Sequence, residues 1–110
     1  VLTVMQFDPS KRAVMNIKYN SDLIKVCKSL KFTLASFDRA MEPKKIRTLE
    51  GSSLEWGTAS SIRKCGFVPD IIFDKGGMRK EEMIRVIAED IESLVDKILK
   101  IHRRYSKILA

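Results

Sequence analysis

Residues 68–86, VPDIIFDKGGMRKEEMIRV, decide how this chain is read. An apolar run, Ile71-Ile72-Phe73, opens into Asp74-Lys75-Gly76-Gly77-Met78-Arg79-Lys80-Glu81-Glu82, and a second apolar run begins at Met83. Short apolar runs bounded by turn residues read as buried strands. The segment between them reads as a polar site held by two strands. Its adjacent glycines permit positive φ and a close approach of a ligand to the backbone. Lys75, Arg79 and Lys80 supply cations, while Asp74, Glu81 and Glu82 supply hard oxygen donors for a metal. That combination suits a phosphorylated ligand, although a hairpin turn carrying solvated charges would be spelled in the same residues.

Outward from this stretch, strand and helix patterns alternate. Ala13 to Tyr19 reads as a strand after the break Phe7-Asp8-Pro9-Ser10, and Asn20-Ser21-Asp22 offers a helix cap. Leu23, Ile24, Cys27 and Leu30 then recur at helical spacing, with Lys25, Lys28 and Lys31 outward. Phe32 to Phe37 is the second strand, and the polar segment from Asp38 to Gly51, with Pro43 inside it, is a loop with one helical turn. Ser52 or Ser53 starts a helix through Trp56, Ile62 and Lys64 that Gly66 closes. Beyond the central stretch, Met83 to Ala88 is a strand and Asp90 caps the longest helix. Its predicted apolar stripe is Ile91, Leu94, Val95, Ile98, Ile101 and Tyr105. The order of elements argues for a layered α/β domain rather than a bundle or a sandwich.

Composition narrows the function classes. With 110 residues, 45% hydrophobic and 32% charged, the chain has the make-up of one globular domain or part of a larger one. It opens at Val1 inside what already reads as structure, so residues 1–110 are expected to form a single unit that is the C-terminal part of a larger domain. No apolar run approaches the ~20 residues of a bilayer span, and no signal peptide opens the chain, so no membrane is expected and the cytoplasm is the expected location. Cys27 and Cys65 form no ligand-spaced motif with His102 and no disulfide framework. Much of the net charge of +7 falls on Lys97, Lys100, Arg103, Arg104 and Lys107. Cations there complement a helix C-terminus, and without interleaved aromatics they do not point to nucleic acid.

Other polar clusters could share a site with the glycine loop. Ser36-Phe37-Asp38-Arg39 ends a strand, where α/β sheets bind ligands; Arg39 could grip a phosphate, and Asp38 could hold a metal or orient that arginine. A local ion pair would leave the same trace. In Glu50-Gly51-Ser52-Ser53-Leu54-Glu55-Trp56-Gly57, the free N–H groups of a helix start and the two hydroxyls make an anion pocket, unless the serines only cap. Trp56 is a core anchor or a stacking surface for a flat ring. His102 reads as a solvated helix residue, and no triad or paired-carboxylate spacing stands out.

Taken together, Ser36-Phe37-Asp38-Arg39, Glu42-Pro43, EGSSLEWG at 50–57, VPDIIFDKGG at 68–77, Lys80-Glu81 and MIRV at 83–86 closely resemble the ThiN-type thiamine-phosphate synthase domain of archaea and some bacteria. The opening LTVMQFDPSKRAVMNIKY also resembles that family, in which a helix and an Asp-Pro turn lead to an Asn-containing strand. Glu82 departs from the proline usual in the family, and Met78 and Arg79 from small residues. The resemblance implies a three-layer α/β/α fold with a mixed sheet, related to class II aldolases of the AraD type. It also implies a domain longer than this chain, commonly fused to a hydroxymethylpyrimidine or hydroxymethylpyrimidine-phosphate kinase. A reactive histidine and arginine would precede the matched part, so His102 does not inherit that role.

The implied reaction joins hydroxymethylpyrimidine diphosphate to thiazole phosphate, giving thiamine phosphate and pyrophosphate. The partners are then phosphorylated pyrimidine and thiazole, with room for a homo-oligomer. On this reading Arg39 and Lys80 are catalytic; Ser52, Ser53, Lys75, Gly76, Gly77 and Trp56 bind substrate and phosphate; and Asp38, Asp74 and Glu81 hold Mg²⁺. The alternative is a regulatory domain that senses thiamine phosphate without turning it over, as found behind a helix-turn-helix module elsewhere in the family.

Overall fold

The strand Met83–Ala88 is apolar at almost every position, and Ile84, Val86, Ile87 and Ala88 are all buried. A strand that is apolar on alternate and intervening positions alike must be covered on both faces. In the computed structural model it is an inner strand of a sheet with helices above and below. The structure describes residues 2–37, 52–74 and 82–109, with backbone alone at 2, 52–55 and 109. Along the described chain run α1 (Leu2–Phe7), β1 (Ala13–Lys18), α2 (Ser21–Ser29), β2 (Leu34–Phe37), α3 (Ser52–Cys65), β3 (Ile71–Asp74), β4 (Met83–Ala88) and α4 (Ile91–Leu109).

The sheet order is β1-β4-β3-β2. β4 runs antiparallel to both neighbours, with Asn16 opposite Arg85 on one side and Ile72 opposite Arg85 on the other. β2 and β3 are parallel, in a register that sets Phe37 beside Asp74. The sheet is therefore mixed, as the family resemblance implies. Asp74 lies opposite Met83, so the glycine segment between them joins hairpin neighbours: the turn and the polar-site readings fall on one connection.

Side-chain alternation sorts the core into two layers. On one face, Ile71, Ile84, Val86 and Ala88 pack with Ile24, Val26 and Cys27 of α2 and Leu94 and Ile101 of α4. On the other, Ile72, Ile87 and Phe37 pack with Val4 of α1 and Ile62 of α3. Each fully buried Ile or Val contributes roughly 1.5–3 kcal/mol.

Helix ends follow local chemistry. The Asn20 side chain accepts from the Asp22 N–H and donates from Nδ2 to the Tyr105 hydroxyl at 3.1 Å, tying the start of α2 to α4. Asp90 Oδ1 accepts from the Ser93 N–H at 2.7 Å, as the cap expected from the sequence. Gly66 closes α3 at φ 85, a left-handed position that glycine fills without strain.

Two expectations need correction. The second strand starts at Leu34 rather than Phe32. Lys31 turns left-handed at φ 63 and the Phe32 N–H bonds back to the Cys27 carbonyl at 3.2 Å, so the end of α2 consumes both residues. The stripe on α4 is also narrower than predicted: Leu94, Ile98, Ile101 and Tyr105 face the core, whereas Ile91 is 74% and Val95 46% exposed. No helix among the described residues is long and apolar enough to cross a membrane.

Candidate functional site

The parallel strands β2 and β3 carry different chemistry at their two ends. At the start of β3, Asp70 serves the frame: Oδ2 accepts from Thr33 N–H and Oγ1 at 3.0 and 3.1 Å, and Oδ1 from Lys97 Nζ at 2.8 Å. Lys97 Nζ also reaches the Ile87 carbonyl at 2.5 Å, so the Asp70–Lys97 pair ties α4 to β4 and to the residues that lead into β2 and β3. Burial pushes the Asp70 carboxyl up, but the bonds from Lys97 and Thr33 outweigh it and hold the carboxyl below its usual range.

At the far end of β3 stands Asp74, only 2% exposed and beside Phe37. It engages a further partner. A buried carboxylate at the C-terminal end of a parallel strand lies where open α/β sheets bind ligands. The helix α3 is drawn onto the same sheet end by Gly57, where an added Cβ would sit 2.1 Å from the Phe37 ring. Trp56 is half-buried and meets Phe37 edge-on, with centroids 6.2 Å apart and planes at 87°. Trp56 thus belongs to the packing of the strand end.

The remaining expected site residues are outside the description. Asp38, Arg39, Lys75, Gly76, Gly77, Lys80 and Glu81 lie beyond the described residues, as do the side chains of Ser52 and Ser53. Their described flanks do converge: positions 38 and 75 each follow one of the paired residues Phe37 and Asp74. Ser52 opens α3, the helix carrying Gly57 against that Phe37. Among the described residues no group of three His, Cys, Asp or Glu gathers as a metal site. Asp74 suits a hard cation as a single oxygen ligand.

A set of polar residues that the sequence reading passed over occupies the α3 face of the sheet. Arg85 of β4 donates from Nε to Asn16 Oδ1 at 3.2 Å and from NH1 to the hydroxyl of Thr58 on α3, which is 1% exposed. Ser61, one turn along α3, buries its Oγ with no hydrogen-bond partner among the described residues. The available signal was a lone charge inside the apolar run MIRVIA.

The Thiamine-phosphate synthase ThiN family profile matches residues 1–100. The bifunctional thiamine biosynthesis protein ThiDN of Methanocaldococcus jannaschii is 44% identical over 109 residues, covering 99% of this chain and 25% of that protein. The thiamine-phosphate synthase ThiN of Methanothermobacter thermautotrophicus is 30% identical over 108 residues, covering 98% of this chain and 57% of that protein. Among solved structures, the C-terminal domain of protein MJ0236 superposes with a TM-score of 0.85 at 45% identity, over 97% of this chain and 56% of that one. The C-terminal domain of a phosphomethylpyrimidine kinase gives 0.84 at 32%, over 91% and 56%. The chain spans a quarter to just over half the length of these relatives. With the profile covering nearly all of it and the fold shared with both solved domains, the chain belongs to the ThiN thiamine-phosphate synthase family.

Proposed function

We propose that the complete protein joins hydroxymethylpyrimidine diphosphate to thiazole phosphate and releases pyrophosphate, with this chain as the C-terminal part of the synthase domain. The observation that carries the reading is the family match over residues 1–100. The bond from the pyrimidine methylene carbon to the diphosphate oxygen breaks, its electron pair leaving with pyrophosphate. The thiazole ring nitrogen supplies the pair for the new carbon–nitrogen bond. Such a reaction chiefly needs the leaving charge neutralised and two rings held in line.

Arg39 and Lys80 take the catalytic role, meeting the negative charge that grows on the departing diphosphate. Lys75, the Gly76-Gly77 backbone and the Ser52 and Ser53 hydroxyls hold phosphate groups, and the Trp56–Phe37 pair flanks the place of a ring. Asp74, with Asp38 and Glu81, would hold Mg²⁺, which supplies charge neutralisation when bound. A phosphomethylpyrimidine kinase in the same chain would deliver the diphosphate, in keeping with the solved relative that is the C-terminal domain of a phosphomethylpyrimidine kinase. The complete protein incubated with both substrates is expected to form thiamine phosphate and to stop when Mg²⁺ is chelated. Turnover that continues in excess chelator would remove Asp38, Asp74 and Glu81 from the metal role.

A further inference from the structure

One flank of α4 is apolar where none of the described elements covers it. Ile91, Val95 and Leu99, four residues apart, line that flank and are 74%, 46% and 42% exposed. His102 and Ser106, both exposed, continue it toward the C-terminus, so the flank carries no Lys, Arg, Asp or Glu over four turns. The charged residues Asp96, Lys100 and Arg104 fall elsewhere on the helix.

Lys97 shows which way the flank looks. Its ammonium reaches Asp70 before β3 and the Ile87 carbonyl of β4, so that side of α4 is turned toward the middle of the sheet. Ile91, Val95 and Leu99 lie across the buried stripe of Leu94, Ile98 and Ile101 from it, and α4 packs on β1 as well as on β4. The apolar flank therefore overhangs the outer edge of β1.

That edge is open. Among the described residues β1 pairs only with β4, and it closes the sheet on that side. Edge strands that stay in solvent are commonly blunted by a proline, a bulge or inward-pointing charges. Ala13–Lys18 pairs with β4 in unbroken register, contains no proline and bears one charge, at its last residue. Met15 lies between Ala13 and Ile17 on the sheet face under α4 and is 41% exposed. Where strand and helix both begin, Arg12, Glu89, Asp90, Ile91 and Glu92 line an open concavity of about 550 Å³.

A free backbone edge beside an apolar overhang fits one kind of occupant: a strand that pairs with β1 and sends apolar side chains under α4. The chain takes up 57% of the M. thermautotrophicus synthase and 56% of each solved domain. More than two-fifths of each of those chains thus lies outside the match, and a domain is built around a shared core.

We propose that the groove between β1 and α4 seats the remainder of the synthase domain: a strand of the complete protein from outside residues 1–110 extends the sheet at β1 and packs apolar side chains on Met15, Val95 and Leu99. This rests on the part of the synthase reading that makes the chain one portion of a larger domain, and not on the reaction. None of the readouts below depends on turnover.

The test uses the complete protein. Val95→Cys, followed at its own peptide by mass spectrometry, should react with maleimide at least about 100-fold more slowly than the same cysteine in urea-unfolded protein, at every protein concentration. Amides 13–18 of wild type should all exchange slowly with deuterium, because both edges of β1 are paired. A photoreactive side chain at position 99 should link to a peptide outside residues 1–110 of the same chain. Near-equal labelling of folded and unfolded protein, or fast exchange at alternate β1 amides, would overturn the proposal. Protection that fades on dilution would put a second copy in the groove, and a link back to residues 1–110 would close it from within; either also overturns the proposal. Should Val95→Cys fail to fold, exchange in wild type decides. A protein that forms no thiamine phosphate yet shows slow labelling and exchange would fail the reaction alone.

Discussion

Gly57 shows how one missing side chain places a helix. Its Cα lies against the Phe37 ring so closely that a methyl group would sit 2.1 Å from a ring carbon, and the ring is buried and flanked by Trp56. Gly57→Ala is therefore expected to destabilise the fold by about 1–3 kcal/mol in urea denaturation, and to lower turnover by shifting α3 off the strand end. The glycine bracketing of EGSSLEWG was visible in the sequence, but only the register that brings Phe37 to Asp74 explains why the second glycine is needed. Cys27 is a simpler residue. Burial pushes its thiol up to about 11, in keeping with the small apolar role read from the sequence.

Elements were legible where period and punctuation agreed. The strand Met83–Ala88 and the α2 cap at Asn20 followed from the letters alone. The start of β2 did not, because the end of α2 claimed Lys31 and Phe32 through a left-handed turn that a lysine rarely signals. The α4 stripe came out too wide because 3.6-residue periodicity cannot say how far round a helix its neighbours reach; Ile91 and Val95 lie just past that limit. Asp70 was read only as part of a strand approach, yet it joins β2, β3 and α4. Its carboxyl titrates below the usual range when folded, so the stability it adds is present above the ordinary carboxylate pKa near 4. That stability is lost as pH falls through the lower folded value. Thermal melts from pH 6 down to pH 2 should show wild type losing stability toward the acid end, with Asp70→Asn less stable at pH 6 and flatter below pH 4. Parallel curves would remove Asp70 from the acid response.

At the scale of the whole molecule, two helical layers enclose a mixed sheet, and the proposed site lies at one end of its parallel pair. Asp74, Gly57 and Trp56 mark that end from the described side. On the proposed allocation Arg39, Lys75, Lys80 and the two serines join that end; of these, positions 39 and 75 follow Phe37 and Asp74 closely in the chain. The phosphate reading of the glycine loop was made from its cations and adjacent glycines, residues that lie outside the described ones. Arg85 was hidden by the apolar run around it, since direction across a sheet depends on pairing that no single strand records. The most direct measurement is formation of thiamine phosphate from both phosphorylated substrates by the complete protein, beside its Arg39→Ala and Lys80→Ala variants. The account predicts product from wild type and a fall of about 100-fold or more in each variant, at unchanged melting temperature. Tight binding of thiamine phosphate with no product from wild type, or full turnover in both variants, would contradict it.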